Sequence, residues 1–149
     1  MTDLAARLHG WGYEGRTVDD LIAFARDTAS TVVVDVRLTP ISRRQGFSKR
    51  RLAAALQEAG LEYLHLRALG NPRDNRPGFA EPGTSAGAAA HRRFRSEVLA
   101  TAEARSSVDR LAELAAVTDL VVVCFEADQA TCHRRLVIDA VVSQRLVAA

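Results

Sequence analysis

Thr31-Val-Val-Val-Asp-Val36 and Asp119-Leu-Val-Val-Val-Cys-Phe125 decide how this chain is read. Both runs are rich in β-branched residues and almost continuously apolar. A strand with one wet face alternates apolar and polar residues, and these do not, so both of their faces are expected to be buried in a parallel sheet. Leu61-Glu-Tyr-Leu-His-Leu66 reads as a shorter, mixed strand. A fourth strand near Leu8 to Trp11 is diluted by Gly10 and Gly12.

Helical patterns lie between these runs. Thr17 is the expected N-cap of a helix with Asp19 and Asp20 in its first turn and Val18, Leu21, Ile22 and Ala25 on its apolar stripe. Ser48 opens a second helix, with Leu52, Ala55, Leu56 and Ala59 on one face and Gly60 as its stop. His91 to Ala116 reads as one long helix or two shorter ones, and Thr131 begins a last helix. Alternating strands and helices imply a three-layer α/β/α fold, Rossmann-like, with a small, mostly parallel sheet of about four strands. Residues 1–149 are expected to form one domain, of a length that can bury a core unaided. The stretch from Gly70 to Ala90, with Pro72, Pro77, Pro82 and several glycines, reads as a long flexible loop.

With 48% hydrophobic and 26% charged residues the composition is that of an ordinary globular protein. No apolar run approaches the roughly 18 residues of a membrane span, and the opening MTDLAARLHG lacks the pattern of a secretory signal. Two cysteines make no disulfide framework, so a cytoplasmic setting is the expectation. The net charge of +2 conceals an asymmetry, because residues 36–95 hold twelve basic side chains against four acidic ones. Such a segment is either a solvated face or the footprint of an anionic partner.

Polar residues gather just beyond the strands, on the edge where open parallel sheets bind ligands. Asp35 and Arg37 share one face of their strand, either as an ion pair or as an acid/base group beside an anion clamp. Ser42, Arg43 and Lys49 follow them. His65 ends the third strand, shortly before Asn71 and Arg73, and Glu126 ends the fourth. Cys132, placed in the first turn of the last helix beside His133 and Arg134, is either a thiolate nucleophile favoured by the helix dipole or a small packing residue. The helix start could equally hold an anion, with Arg134 assisting. Cys124, Cys132 and His133 include metal-ligand types. However, Cys-x7-Cys-His is not a zinc-site spacing, and Cys124 within a strand is expected to face the core, so no metal is expected. The chain has neither GxxxxGK[ST] nor GxGxxG, and no cofactor is expected.

Gly12-Tyr-Glu-Gly15, Val34-Asp-Val-Arg37 with Pro40, Ser42-Arg-Arg-Gln-Gly-Phe-Ser-Lys49 and Tyr63-Leu-His65 form one series of motifs. Leu69-Gly-Asn-Pro-Arg73, Cys124-Phe-Glu126 and Cys132-His-Arg134 complete it. In this order and spacing they resemble the family catalogued as domain of unknown function 488. The chain departs from the family's usual first strand, which ends in a Thr-Ile-Gly-like run, by carrying His9-Gly-Trp-Gly12. The resemblance implies a three-layer α/β fold and no particular substrate.

The residues therefore imply a basic, carboxylate-containing cleft at the carboxyl edge of the sheet. Its expected ligand bears a phosphate, as a nucleotide or nucleic acid, with Asp35 or Glu126 moving protons if the cleft is catalytic. The alternatives are a non-catalytic nucleic-acid or protein-binding module, or an enzyme dependent on Cys132. Few aromatic residues, 5% of the chain, argue against a stacking platform for single strands.

Overall fold

The computed structural model describes residues 3–148. Four strands, β1 (Leu8–Gly12), β2 (Ser30–Asp35), β3 (Glu62–His65) and β4 (Asp119–Cys124), form one sheet in the order β1-β4-β2-β3, with every pair parallel. The two β-branched runs are its central strands, as their unbroken apolarity requires. Val33, Val121 and Val123 point to one face and Val32, Val34 and Val122 to the other, and all are buried.

Helices cover both faces. α1 (Val18–Asp27) and α2 (Lys49–Glu58) lay Leu21, Ala25, Leu52 and Leu56 on Trp11, Phe47, Val33, Val121 and Val123. On the opposite face lie α3 (Arg76–Phe79), α4 (Ser85–Arg93), α5 (Ala102–Ala115) and α6 (Arg134–Ala148), which contribute Phe79, Ala90, Leu111, Leu136 and Val137. The faces follow from chain direction. The steps β1 to β2 and β2 to β3 advance the same way across the sheet, so crossovers of one hand put α1 and α2 on one side. The step β3 to β4 runs backwards, which sends the intervening helices to the other side. That reversal leaves a crevice between the carboxyl ends of β2 and β4, because the chain leaves these neighbours toward opposite faces.

Local chemistry explains most element boundaries. Thr17 and Asp20 form a full capping box at the start of α1. Ser48 stands at the N-cap of α2, but its hydroxyl is bonded to Ser42 and does not cap the helix. The long helical stretch expected from His91 begins earlier, at Ser85. It passes through a π turn (Phe94–Val98) and restarts at α5 behind the N-cap Thr101.

Two expectations are corrected. The 70–90 stretch is not an unstructured loop but holds a 3-10 turn (Arg73–Asn75), α3 and α4. Its glycines permit close packing here, since a Cβ on Gly87 would lie 2.4 Å from the Glu81 carbonyl oxygen and one on Gly78 would lie 2.6 Å from Ala90 Cβ. The last helix does not begin at Thr131. Asp128 caps a 3-10 turn (Gln129–Thr131), Cys132 is extended, and α6 starts at Arg134.

The diluted run at residues 8–12 does form an edge strand, and its last glycine has a steric reason. A Cβ on Gly12 would stand 1.7 Å from the carbonyl oxygen of Glu126, so β1 and the segment after β4 approach backbone to backbone. Gly12→Ala is expected to destabilise the protein by about 1–3 kcal/mol, the range of overpacking in a tight site, read as a lower urea midpoint at unchanged m-value.

Candidate functional site at the β2–β4 crevice

The crevice is a real cavity of about 160 Å³. Arg37, Leu38, Thr39 and Ile41 wall it after β2, as do Cys124 at the end of β4 and Phe125 and Glu126 after it. Tyr13, Asn71, Arg76, Phe79, Thr131 and His133 close it.

Asp35 and Arg37 form the ion pair, and it is a dense one. Arg37 Nε and Nη2 donate to the Asp35 carboxylate at 2.9 and 2.7 Å, and the Arg37 backbone N–H adds a bond of 3.1 Å to Oδ1. Tyr63 Oη donates to Oδ2 at 2.6 Å. The remaining nitrogen, Arg37 Nη1, donates to the Phe47 carbonyl at 2.8 Å and to Tyr13 Oη at 3.4 Å, with the guanidinium 5.3 Å from the Tyr13 ring centre. Burial works against the Arg37 charge, but the Asp35 carboxylate more than offsets it and holds the guanidinium above its ordinary pKa. Burial, and then the same carboxylate, push the Tyr63 phenol up. The Asp35 carboxylate thus accepts from both Arg37 and Tyr63, and its bonds are made within the fold. Tyr63, quoted from the sequence only as part of the Tyr63-Leu-His65 motif, was not expected at the site. The signal was there in the register, since Val33 pairs with Tyr63 and Asp35 with His65, which puts Tyr63 on the Asp35 face.

The other polar residues separate into those at the cavity and those away from it. His65 Nε2 donates to the Arg37 carbonyl at 2.7 Å and fixes the backbone there. Ser42 organises its own loop, accepting the Arg44 N–H through Oγ and exchanging bonds with Ser48. Arg43 lines a different groove, with Arg16, Asp19 and Arg44, and exposed Lys49 borders neither that groove nor the cavity. Arg73 is exposed and also outside the cavity, whereas Asn71 is buried in its wall and accepts from Asn75 Nδ2 through Oδ1. The anion clamp of Arg37, Arg43 and a helix start at Cys132 is therefore not assembled. In its place Arg76, which the sequence did not mark, enters the wall with no carboxylate among the described residues within 4.0 Å.

Arg134 is engaged within the fold. Only 1% exposed, it donates from Nη1 to the Glu126 carbonyl at 2.6 Å, from Nη2 to the Ala127 carbonyl at 3.3 Å and from Nε to Gln129 Oε1 at 3.3 Å. It straps the segment after β4 to the start of α6. Glu14 reinforces the strap by accepting the Ala127 N–H at 3.1 Å.

Cys124 ends β4, and its thiol joins the wall of the cavity. Cys124 Sγ lies 3.6 Å from Glu126 Oε2 and 3.7 Å from His133 Nδ1. Cys132 Sγ is 3.8 Å from the same nitrogen. The other ring nitrogen, His133 Nε2, donates to the Val36 carbonyl at 2.8 Å, so in the neutral ring Nδ1 is an acceptor facing two thiols. The ligand atoms of these three buried residues all lie within 4.8 Å of one another, a grouping that could hold a metal ion. Cys132 lies ahead of the helix instead of inside its first turn. Burial first, and then Cys124, push its thiol pKa up, against the helix-dipole expectation of a ready thiolate.

Two outcomes are expected. Asp35→Asn leaves the Arg37 charge buried without a counter-ion and should cost about 3–5 kcal/mol, with part of the loss recovered in Asp35→Asn/Arg37→Met; denaturant titration of the three proteins measures both. At pH 7, iodoacetamide should label Cys132 more slowly than a free thiol, which peptide mapping over time would read; a faster rate would mean an activated thiolate.

No curated protein and no solved structure matches the chain. The model of the domain of unknown function DUF488 matches residues 17–141, a span that holds three of the four strands and every cavity residue except Tyr13, and the chain belongs to that family.

Proposed function

We propose that the crevice binds a small phosphate-bearing molecule with an apolar substituent, and that Glu126 exchanges a proton with it. The observation that carries this reading is Arg76, a guanidinium without a carboxylate partner among the described residues, standing in the wall of a cavity at the sheet's switch point. Around it are the donors an anion needs. Thr39 brings a hydroxyl, and Asn71, whose Oδ1 is engaged by Asn75, offers its amide N–H groups. The buried Arg134 charge, which among the described residues donates to carbonyl and amide oxygens, adds a positive field behind the wall.

Two of the protein's exposed large apolar residues, Ile41 at 75% and Phe125 at 44%, stand on this same wall. Apolar side chains beside a cation favour an organic phosphate over the inorganic ion. A cavity of about 160 Å³ suits a small ester better than a nucleotide, since drug-sized ligands fill roughly 300 Å³ or more. Glu126, half-buried on the opposite wall, is the carboxylate within reach for proton transfer, because Asp35 is committed to Arg37. A nucleic-acid footprint has less behind it. Within the basic segment Arg37 is buried, and Asp19 interrupts the groove that holds Arg43 and Arg44.

Phenyl phosphate and inorganic phosphate serve as probes in isothermal titration calorimetry. The ester should bind more tightly than the ion, and Arg76→Ala should weaken it about tenfold, the size of a lost charge-assisted bond. Arg50→Ala, on the other layer, should leave it unchanged. Binding that ignores Arg76→Ala, or no heat from either probe at millimolar concentration, overturns the reading. Phenol release that disappears in Glu126→Gln while binding persists would identify Glu126 as the proton-transfer group.

A further inference from the structure

The cluster of Cys124, Cys132 and His133 is not used by the phosphate reading, and its geometry is more specific than packing demands. A tetrahedral zinc ion with Zn–S of about 2.3 Å and Zn–N of about 2.0–2.1 Å has S···N edges of about 3.5–3.6 Å. The two S···N distances here, 3.7 and 3.8 Å, are close to those edges. Chance contact between two thiols and an imidazole would not fix which nitrogen faces them. Here it is fixed, because His133 Nε2 is held by the Val36 carbonyl and Nδ1 is aimed at both sulfurs. A backbone carbonyl behind the distal ring nitrogen is the usual outer-shell partner of a metal-bound histidine, setting both tautomer and ring angle.

One backbone donor also faces the cluster. The first backbone N–H of α6, on Arg134, donates to Cys132 Sγ at 3.5 Å. Phe94 packs edge-on against the His133 ring at 5.4 Å and, with Leu136 and Val137, keeps the inner side of the cluster apolar. The outer side is different, since Cys124 and His133 border the cavity and Glu126 Oε2 lies 3.6 Å from Cys124 Sγ. Three protein ligands, two of them bordering a cavity, match a zinc site that keeps an exchangeable position.

We infer that Cys124 Sγ, Cys132 Sγ and His133 Nδ1 bind one divalent cation of the zinc class, with its fourth position facing the crevice beside Glu126. Two thiolates and an imidazole select a borderline-soft cation over calcium or magnesium, which take oxygen ligands. The seven residues between the cysteines fit no zinc-finger spacing because no single turn supplies the ligands. Cys124 arrives on the end of a strand, and Cys132 with His133 on the approach to a helix, and the Arg134 strap brings the two together.

The test uses the full, untagged chain, reduced and stripped of metal, and is independent of any phosphate ligand. Titrated with Zn²⁺ against a chromophoric chelator, it should take up one ion per chain. Co²⁺ should give the near-ultraviolet charge-transfer absorption of thiolate ligation. Cys124→Ser and Cys132→Ser should each weaken uptake by more than the roughly 10–100-fold that loss of an outer-shell partner costs, while His91→Gln should leave it unchanged. X-ray absorption on the zinc-loaded wild-type protein removes any dependence on how the variants fold, and should show two sulfurs and at least one nitrogen around the ion. No stoichiometric uptake, a bound ion without sulfur neighbours, or uptake equal in wild type and a folded Cys124→Ser/Cys132→Ser protein overturns the inference.

Discussion

The bidentate contact between Asp35 and Arg37 governs everything at the carboxyl edge of the sheet. Two opposite charges removed from water stabilise a fold only when their remaining hydrogen-bonding capacity is met. Meeting it here recruits one group from each neighbouring element. Tyr63 comes from β3, the Phe47 carbonyl from the loop before α2, and Tyr13 from the end of β1. The pair thus acts as a junction. It fixes where β2 stops, and the backbone of Val36 and Arg37 that it holds then serves as acceptor for His133 and His65. A polar device of this kind adds less to stability than to uniqueness, because a shifted register would strand a charge.

Much of the architecture is legible in the chain itself. Unbroken β-branched runs can be satisfied only between two helical layers, which fixes β2 and β4 as central strands. The Thr17–Asp20 box and the period-two placement of Asp35 and Arg37 are local facts, and local facts survive folding. The rest escaped for identifiable reasons. Gly78 and Gly87 resemble helix breakers, yet both are there because another residue approaches too closely for a Cβ, which only the tertiary structure reveals. Thr131 resembles an N-cap, but Asp128 three residues earlier takes that role for a 3-10 turn and delays the helix.

Charge was the least transferable signal. The basic excess between residues 36 and 95 suggests one surface, but its members serve unrelated ends. Arg37 is consumed by an internal pair, Arg43 and Arg44 face a separate groove, Arg93 pairs with Asp74 and Glu97, and Arg76 alone among these enters the cavity without an acid beside it. Net charge along a sequence has no direction, and a guanidinium at the end of a long side chain can be delivered to either layer. The two cysteines show the converse. Their separation argued against a shared role, and the fold places both thiols on one imidazole.

The Arg134 strap has a thermodynamic consequence for whatever occupies the crevice. Its bond to the carbonyl of Glu126, eight residues back, closes the chain into a small ring that contains Phe125's successor, the 3-10 turn, Cys132 and His133. Closing a ring of that size and freezing its side chains costs entropy once, when the protein folds. An incoming ion or molecule then meets groups that are already ordered, and its intrinsic contacts are expressed as affinity instead of being spent on organising the site.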